Sequence, residues 1–136
     1  MDNQKENLNN LLITGNAKED GDQNNESGWF IGHFINSVYG LRCTQDVEVK
    51  WGVHLSNDEK SSFGLNEKAT TLALLISGAF IIDFPDLNIS VNLDQPGDYL
   101  IYAPGISHSW KALKDSILVT IRWPSILGDQ KQVSKS

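Results

Sequence analysis

Apolar and polar residues alternate along much of the chain from residue 28 onward. Residues 47–54 alternate strictly, with an apolar side chain at every second position, and residues 89–93 and 117–123 repeat the pattern. A period of two places successive side chains on opposite faces of a strand. Short apolar runs bounded by Gly, Pro, Asn, Asp or Ser add further strands, at residues 29–35, 70–77, 79–84, 99–102 and 107–111. The pattern therefore predicts an all-β domain, an antiparallel sandwich or barrel without a ten-residue helix.

The two ends of the chain lack this pattern. Residues 1–27 contain seven Asn, six acids and two lysines but no aromatic residue, and such a segment buries little apolar surface. We expect a flexible, acidic, Asn-rich arm there, unless the apolar residues at positions 8 and 11–13 form a helical turn that docks on the domain or on a partner. Residues 28–125 then form the barrel, and residues 126–136 form a polar C-terminal tail.

Composition narrows the classes of partner. The 136 residues carry a net charge of −6 at pH 7, with a pI near 4.9, which argues against nucleic acid or an anionic membrane as a partner. The single cysteine, Cys43, allows no intrachain disulfide and suits a reducing compartment, so we expect a cytoplasmic location. No apolar run approaches the ~20 residues of a membrane helix, and the N-terminus has no signal-peptide pattern.

The most specific motif lies in residues 97–110. A Gly-Asp turn opens it, an apolar strand follows, and a Pro-Gly turn precedes His108. The segment resembles the second motif of the cupin superfamily, which reads Gly, five residues, Pro, any residue, Gly, two residues, His. Gly97, Gly105 and His108 match, and Ala103 stands where the first Pro is usual. The resemblance implies an antiparallel double-stranded β-helix (a cupin or jelly-roll barrel) with His108 pointing into it.

The first cupin motif is incomplete. It reads Gly, five residues, His-x-His, three or four residues, Glu, six residues, Gly, and Gly78 fits its last position. Thr71 stands where the Glu is usual, and neither histidine position holds a His. A substitute set for zinc, iron or manganese is His54, Glu67 and His108, provided that three strands bring them together. The other interpretation is that His54 is an ordinary strand residue and Glu67 is solvated.

A barrel also suits a small molecule without any metal. Trp110 shares a strand face with His108, and Arg122 lies opposite an apolar stripe that could face a core. A buried Arg needs an acidic side chain or a carboxylate ligand as its partner. We expect Lys50 to face water. The candidate pocket residues are His54, His108, Trp110, Arg122 and Tyr99.

Between about residues 28 and 125 the chain also resembles a group of small single-domain cupins found in cyanobacteria, on residues 28–34, 47–54, 70–78, 97–110 and 122–125. Proteins of this group often carry the name signal peptidase I. Signal peptidase chemistry needs a membrane anchor and a Ser–Lys pair, and we expect no anchor here. The resemblance implies a fold and a pocket but no substrate, because cupins include isomerases, dioxygenases, epimerases and non-catalytic binders.

The predicted function is therefore the binding of a small molecule in the barrel. The alternative is a metal-dependent cupin enzyme, an isomerase, lyase or dioxygenase, and the sequence leaves open whether the protein is an enzyme. A third possibility is an interaction module that reaches a partner through the acidic arm. We also expect a homodimer, because Trp29, Phe30 and Phe34 place aromatic residues on both faces of one strand.

Overall fold

A computed structural model describes residues 8–22, 27–60 and 62–133, in which antiparallel β-strands predominate. A short helix, α1 (Ala17–Asp22), precedes the strands, and 3₁₀ turns lie at Ser37–Arg42 and Pro85–Leu87. The strands are β1 (Trp29–Ile31), β2 (Glu48–His54), β3 (Phe63–Asn66), β4 (Thr70–Ser77), β5 (Phe80–Phe84), β6 (Ile89–Leu93), β7 (Tyr99–Tyr102), β8 (Ser109–Ala112), β9 (Ser116–Trp123) and β10 (Gln130–Val133).

The strands form a large sheet, a three-stranded sheet and a two-stranded sheet. The large sheet has the order β1-β2-β9-β4-β7, the three-stranded sheet β6-β5-β8, and β10 pairs with β3. The buried core cluster draws Ala73, Leu75 and Leu118 from the large sheet and Phe80 and Ile82, with others, from the three-stranded sheet. The two sheets therefore pack face to face around one core, which confirms the predicted antiparallel all-β fold.

Alternation gives the large sheet two faces of different chemistry. The inner face, turned towards the three-stranded sheet, carries Glu48, Lys50, His54, Thr71, Ala73, Leu75, Leu118, Thr120 and Arg122. The outer face carries Val49, Trp51, Val53, Leu72, Leu74, Ile76, Tyr99, Ile101, Ile117, Val119, Ile121 and Trp123. The apolar stripe of residues 117–123 thus lies on the outer face. The sequence had left open the possibility that this stripe faces the core.

Both ends of the described chain contact the barrel. Helix α1 packs against β1 and β2, and the amide of Gly28 donates to the carbonyl of Gly21 at 2.9 Å. The predicted polar tail contains a strand, since β10 pairs with β3 from Gln130 to Val133. Backbone hydrogen bonds form this ladder, and they do not require apolar and polar residues to alternate in the sequence. The domain boundaries stay predictions, and residues 1–7, 23–26 and 134–136 of the predicted arm and tail lie outside the described residues.

The loop before β10 is held by one buried carboxylate. Asp129, 6% exposed, accepts hydrogen bonds from the amides of Lys68 (2.8 Å) and Ala69 (3.1 Å) and from Nδ2 of Asn66 (3.2 Å). This cap fixes β10 at one end of the barrel. No described helix is long and apolar enough to pass through a membrane.

Candidate functional site

A cavity of about 240 Å³ lies between the large sheet and the three-stranded sheet. Its cationic and polar wall comes from β2, β9 and the loop before β3, and its aromatic wall comes mainly from β5, β7 and β8. The volume is just below the usual range for ligand sites and suits a small molecule. The lining residues are Trp29, Lys50, His54, Lys60, Ala73, Phe80, Ile82, Tyr102, His108, Trp110, Leu118, Thr120, Arg122 and Gln130.

The structure brings together four of the five side chains that the sequence suggested for a pocket. His54, His108, Trp110 and Arg122 all line the cavity. Tyr99 does not, because it lies on the outer face and is 64% exposed. Tyr102, an inner residue of the same strand, lines the cavity.

The described residues that line the cavity include three cationic side chains and no acidic one. The guanidinium of Arg122 lies over the ring of Trp29 at 4.8 Å, and Nζ of Lys50 is 5.9 Å from the same ring. Burial, and then the charges of Arg122 and Lys60, lower the pKa of Lys50 from its usual value. Burial and Arg122 also lower the pKa of Lys60. The cations are thus desolvated and repel one another, an arrangement that an anion would relieve.

Lys50 corrects an expectation, since it lines the cavity and does not face water. Its position follows from β2, where Lys50 and His54 share the inner face, so placing either one inside places the other. Lys60 was not foreseen at all. It lies in the loop between β2 and β3, where no alternation indicates which way a side chain points.

One acidic residue, Glu48, lies behind the cationic wall, and both of its carboxylate oxygens already accept hydrogen bonds. Oε2 of Glu48 accepts from Nη1 of Arg122 at 3.4 Å, and Oε1 accepts from the hydroxyl of Ser125 at 2.8 Å. The Ser125 oxygen also accepts the backbone amide of His33 (3.0 Å) and lies 2.7 Å from Nδ1 of that residue. The single hydroxyl proton goes to Glu48, so His33 donates from Nδ1 to Ser125. This chain from His33 to Arg122 holds the guanidinium in place.

The two cavity histidines are neutral at pH 7. Burial lowers the pKa of His108 to about 4, against the opposing effect of its hydrogen bond to the Ile106 carbonyl, and Lys60 and Arg122 lower it further. Because a carbonyl can only accept, the 3.2 Å contact with Ile106 places the proton on Nδ1 of His108 and leaves Nε2 as an acceptor. Burial also lowers the pKa of His54 to about 4, aided by Lys50 and opposed by Asp58.

The aromatic wall is a continuous cluster of rings. His54 lies 4.6 Å from Trp110 and 5.3 Å from Phe80, and Phe80 stacks on Trp110 at 5.2 Å with an interplanar angle of 24°. His108 lies 4.8 Å from Tyr102. Such contacts fix the orientation of the rings and offer a flat apolar surface to a ligand.

Glycines make room for two of the cavity side chains. A Cβ on Gly52 would lie 2.8 Å from Nε2 of His54, and one on Gly64 would lie 2.6 Å from Nζ of Lys60. The backbone of Gly64 also exchanges two hydrogen bonds with that of His108, at 2.9 and 3.0 Å. Gly64 therefore leaves space for the Lys60 ammonium group at the point where β3 pairs with His108.

The residues present do not fit the metal site that His54, Glu67 and His108 suggested. Glu67 is exposed and does not line the cavity. The described residues contain no group of three or more His, Cys, Asp or Glu side chains placed to hold a metal ion. The two histidines that do share the cavity face Lys50, Lys60 and Arg122, whose charges would repel a divalent cation.

Comparison with known proteins gives structural likenesses alone, since no family model and no curated protein matches the chain. An uncharacterized conserved protein with a double-stranded β-helix domain from Klebsiella pneumoniae is similar over 68% of this chain and 78% of its own, with 21% identity and a TM-score of 0.58. A cupin superfamily protein from Desulfitobacterium hafniense is similar over 59% and 69%, with 18% identity and a TM-score of 0.52. The salicylate 1,2-dioxygenase from Pseudoaminobacter salicylatoxidans is similar over 75% of this chain and 28% of its own, with 15% identity and a TM-score of 0.60.

These likenesses identify the fold. The chain forms an antiparallel double-stranded β-helix, the barrel of the cupins, as the motif at residues 97–108 predicted. The activity does not follow from the fold, because proteins with this barrel include both enzymes and uncharacterized members.

Proposed function

We propose that the protein binds a small organic anion, a carboxylate, in the barrel cavity. The observation that carries this proposal is the cationic wall of Lys50, Lys60 and Arg122, which faces a cavity without an acidic lining residue among the described ones. Glu48 pairs with Arg122 from behind the wall, but neither Lys50 nor Lys60 has a salt bridge among the described residues. Buried cations without a partner are costly, and an anionic ligand would offset this cost.

The planar guanidinium of Arg122 and the aromatic wall of the cavity narrow the class of ligand further. Arginine suits a carboxylate because its planar fork can donate two parallel hydrogen bonds. The opposite wall, which contains Phe80 and Trp110, favours a flat or apolar body. Nε2 of His108 is an acceptor and suits a hydroxyl group of the ligand. The ligand class is therefore a small carboxylate with an apolar or planar part.

The alternative, a metal-dependent enzyme, has less support. A protein with the same fold is named a dioxygenase, but here no acidic residue is among the described cavity-lining residues beside the two histidines, and three cationic side chains are. Peptidase chemistry, the name borne by the cyanobacterial group, is not favoured either, since no described serine lines the cavity next to Lys50 or Lys60. The resemblance to that group and the cytoplasmic location stay predictions.

Calorimetric titration tests the proposal with benzoate, succinate and citrate as carboxylate probes and benzamide as a neutral one. We expect at least one carboxylate to bind the wild-type protein and benzamide to bind at least tenfold more weakly. Lys60→Met and Arg122→Met should each weaken carboxylate binding at least tenfold, because each removes a cavity cation.

Lys131→Met is the matched control, since Lys131 is an exposed lysine of β10 outside the cavity lining. It should leave the affinity within about twofold of wild type. Failure of every carboxylate to bind, or equal weakening by Lys131→Met and Lys60→Met, would overturn the proposal. Binding of zinc or manganese with loss in His54→Ala and His108→Ala would favour the metal-dependent alternative.

A further inference from the structure

A second cavity, of about 270 Å³, adjoins the first and differs from it in charge. Trp29, Arg122 and Gln130 line both cavities and so form the wall between them. Two carboxylates, those of Glu48 and Asp129, line the second cavity, whereas no acidic residue is among the described lining residues of the first. Cationic side chains therefore predominate in the first cavity, and carboxylates outnumber the shared guanidinium in the second.

Asn66 gives the second cavity an acceptor that no described residue uses. Asn66 lines this cavity and is 4% exposed, and its Nδ2 donates to Oδ2 of Asp129 at 3.2 Å. Because a carboxylate can only accept, this contact places the amide nitrogen towards Asp129 and leaves Oδ1 on the other side. Oδ1 is buried and has no hydrogen-bond partner among the described residues. A buried acceptor without a donor is costly, and an N–H group of a ligand would offset this cost.

The two carboxylates of the second cavity can accept further hydrogen bonds. Each oxygen of Glu48 and Oδ1 of Asp129 accepts one from the described residues, and a carboxylate oxygen can accept about two. Trp29 and Phe34 line the same cavity, and aromatic faces attract organic cations. The described part of the chain holds no group of three His, Cys, Asp or Glu side chains placed for a metal ion. The second cavity therefore suits an organic ammonium group, whose N–H donors match these acceptors.

We propose that the ligand of the barrel is an α-amino acid, with its carboxylate against the cationic wall of the first cavity and its ammonium group in the second cavity. This inference rests on the proposed binding of a carboxylate and adds a second charged group to the ligand.

Arg122 can hold Glu48 and a ligand carboxylate on different edges of its guanidinium. Nη1 donates to Oε2 of Glu48 at 3.4 Å, whereas Nε is buried and has no partner among the described residues. A carboxylate can take the edge formed by Nε and Nη2, since these two N–H groups point in the same direction. An ammonium group beside Glu48 is then close to that carboxylate, because both border one small planar group. The two charges of the ligand therefore lie only a few bonds apart, as they do in an α-amino acid.

Calorimetric titration of the full chain with matched ligands tests the inference. Phenylalanine is the probe, because the aromatic wall with Phe80 and Trp110 suits its ring. We expect one enantiomer of phenylalanine to bind at least about tenfold more tightly than 3-phenylpropanoate, which lacks only the ammonium group. It should exceed 2-phenylethylamine, which lacks only the carboxylate, by about the same factor.

Two variants of the second cavity test where the ammonium group lies. Asn66→Leu removes the unused acceptor and should weaken phenylalanine binding about tenfold, while 3-phenylpropanoate stays within about twofold of wild type. Ile126→Trp fills the second cavity, which Ile126 lines, and should also abolish the preference for phenylalanine. Asn92→Leu is the matched control, since Asn92 is an exposed residue of β6 outside both cavity linings, and should leave both affinities unchanged. Circular dichroism checks that each variant is folded.

The outcomes separate this inference from the proposed function. If 3-phenylpropanoate or another carboxylate probe binds and neither enantiomer of phenylalanine binds more tightly, the α-amino acid is wrong and carboxylate binding stands. If no carboxylate and neither enantiomer binds, both proposals are overturned. A preference for phenylalanine that survives in Ile126→Trp and in Asn66→Leu would also overturn the inference, as would equal weakening of both ligands by both variants.

Discussion

Strand β9 contributes to both faces of the large sheet, and its two sets of side chains have different surroundings. Leu118, Thr120 and Arg122 point into the barrel, where they meet lysines, histidines and aromatic rings. Val119 and Ile121 point outward and meet only apolar neighbours on β2 and β4. The usual arrangement, apolar inside and polar outside, is reversed at Thr120 and Arg122, whereas Leu118 belongs to the apolar core. The polar part of the inner face lines the cavity, and the outer face is apolar and partly exposed.

The largest effect should come from breaking the polar chain behind the inner face. Glu48→Ala leaves Arg122 and the Ser125 hydroxyl without their acceptor, and we expect a loss of about 4 kcal/mol in the free energy of unfolding. Urea denaturation measures it. Glu67→Ala, which removes an exposed carboxylate, should change stability by less than about 0.5 kcal/mol. Equal losses in the two variants would contradict the role given to Glu48.

Neighbouring residues of β9 allow a direct comparison of the two faces. Leu118→Ala removes a side chain that is 5% exposed in the core cluster, and we expect a loss of about 3 kcal/mol in urea. Val119→Ala, on the outer face, should cost the isolated barrel less than about 1 kcal/mol. A larger cost for Val119→Ala in dilute solution would mean that the faces have been assigned the wrong way round.

A smaller effect should appear on acidification. His108 has a pKa of about 4 in the folded protein and 6.5 in the unfolded chain, so the unfolded state binds more protons between these values and stability falls as pH falls. From pH 7.5 to pH 5 this histidine alone should cost about 2 kcal/mol, and His54 acts in the same direction.

Thermal melts of wild type and His108→Gln between pH 5 and pH 7.5 test this expectation. The variant should show a shallower decline in melting temperature towards low pH, because it no longer takes up that proton on unfolding. Parallel declines for the two proteins would mean that the His108 ring is solvated in the folded state.

The sequence predicted the fold and the partition of residues between faces, but not which face is inside. Strict alternation separated Lys50 and His54 from the apolar stripe on β2, and Arg122 from the stripe on β9. Choosing the inner face needs the position of the second sheet, which no local pattern contains. The turn at residues 104–105 did place His108 and Trp110 in the cavity, since the cupin motif specifies that strand relative to the barrel.

Other parts of the site depend on contacts between distant segments. Lys60 reaches the cavity from a loop because Gly64 leaves space for its ammonium group, and Glu48 is held by Ser125, 77 residues away in sequence. The cavity contains Tyr102, whereas the sequence predicted Tyr99, three residues earlier on the same strand. A shift of three residues along a strand moves the side chain to the opposite face of the sheet. The strand β10 had no signal, because its residues pair through the backbone alone.

Two of the four tryptophans line the cavity and two lie on the outer face of the large sheet, so their fluorescence can report on the two sides separately. Trp29 and Trp110 line the cavity, whereas Trp51 and Trp123 lie on the outer face. Occupation of the barrel should alter the emission of the first pair, whereas a soluble quencher such as acrylamide should act mainly on the second pair. The intrinsic fluorescence of the protein therefore carries two separable signals, one for each side of the same sheet.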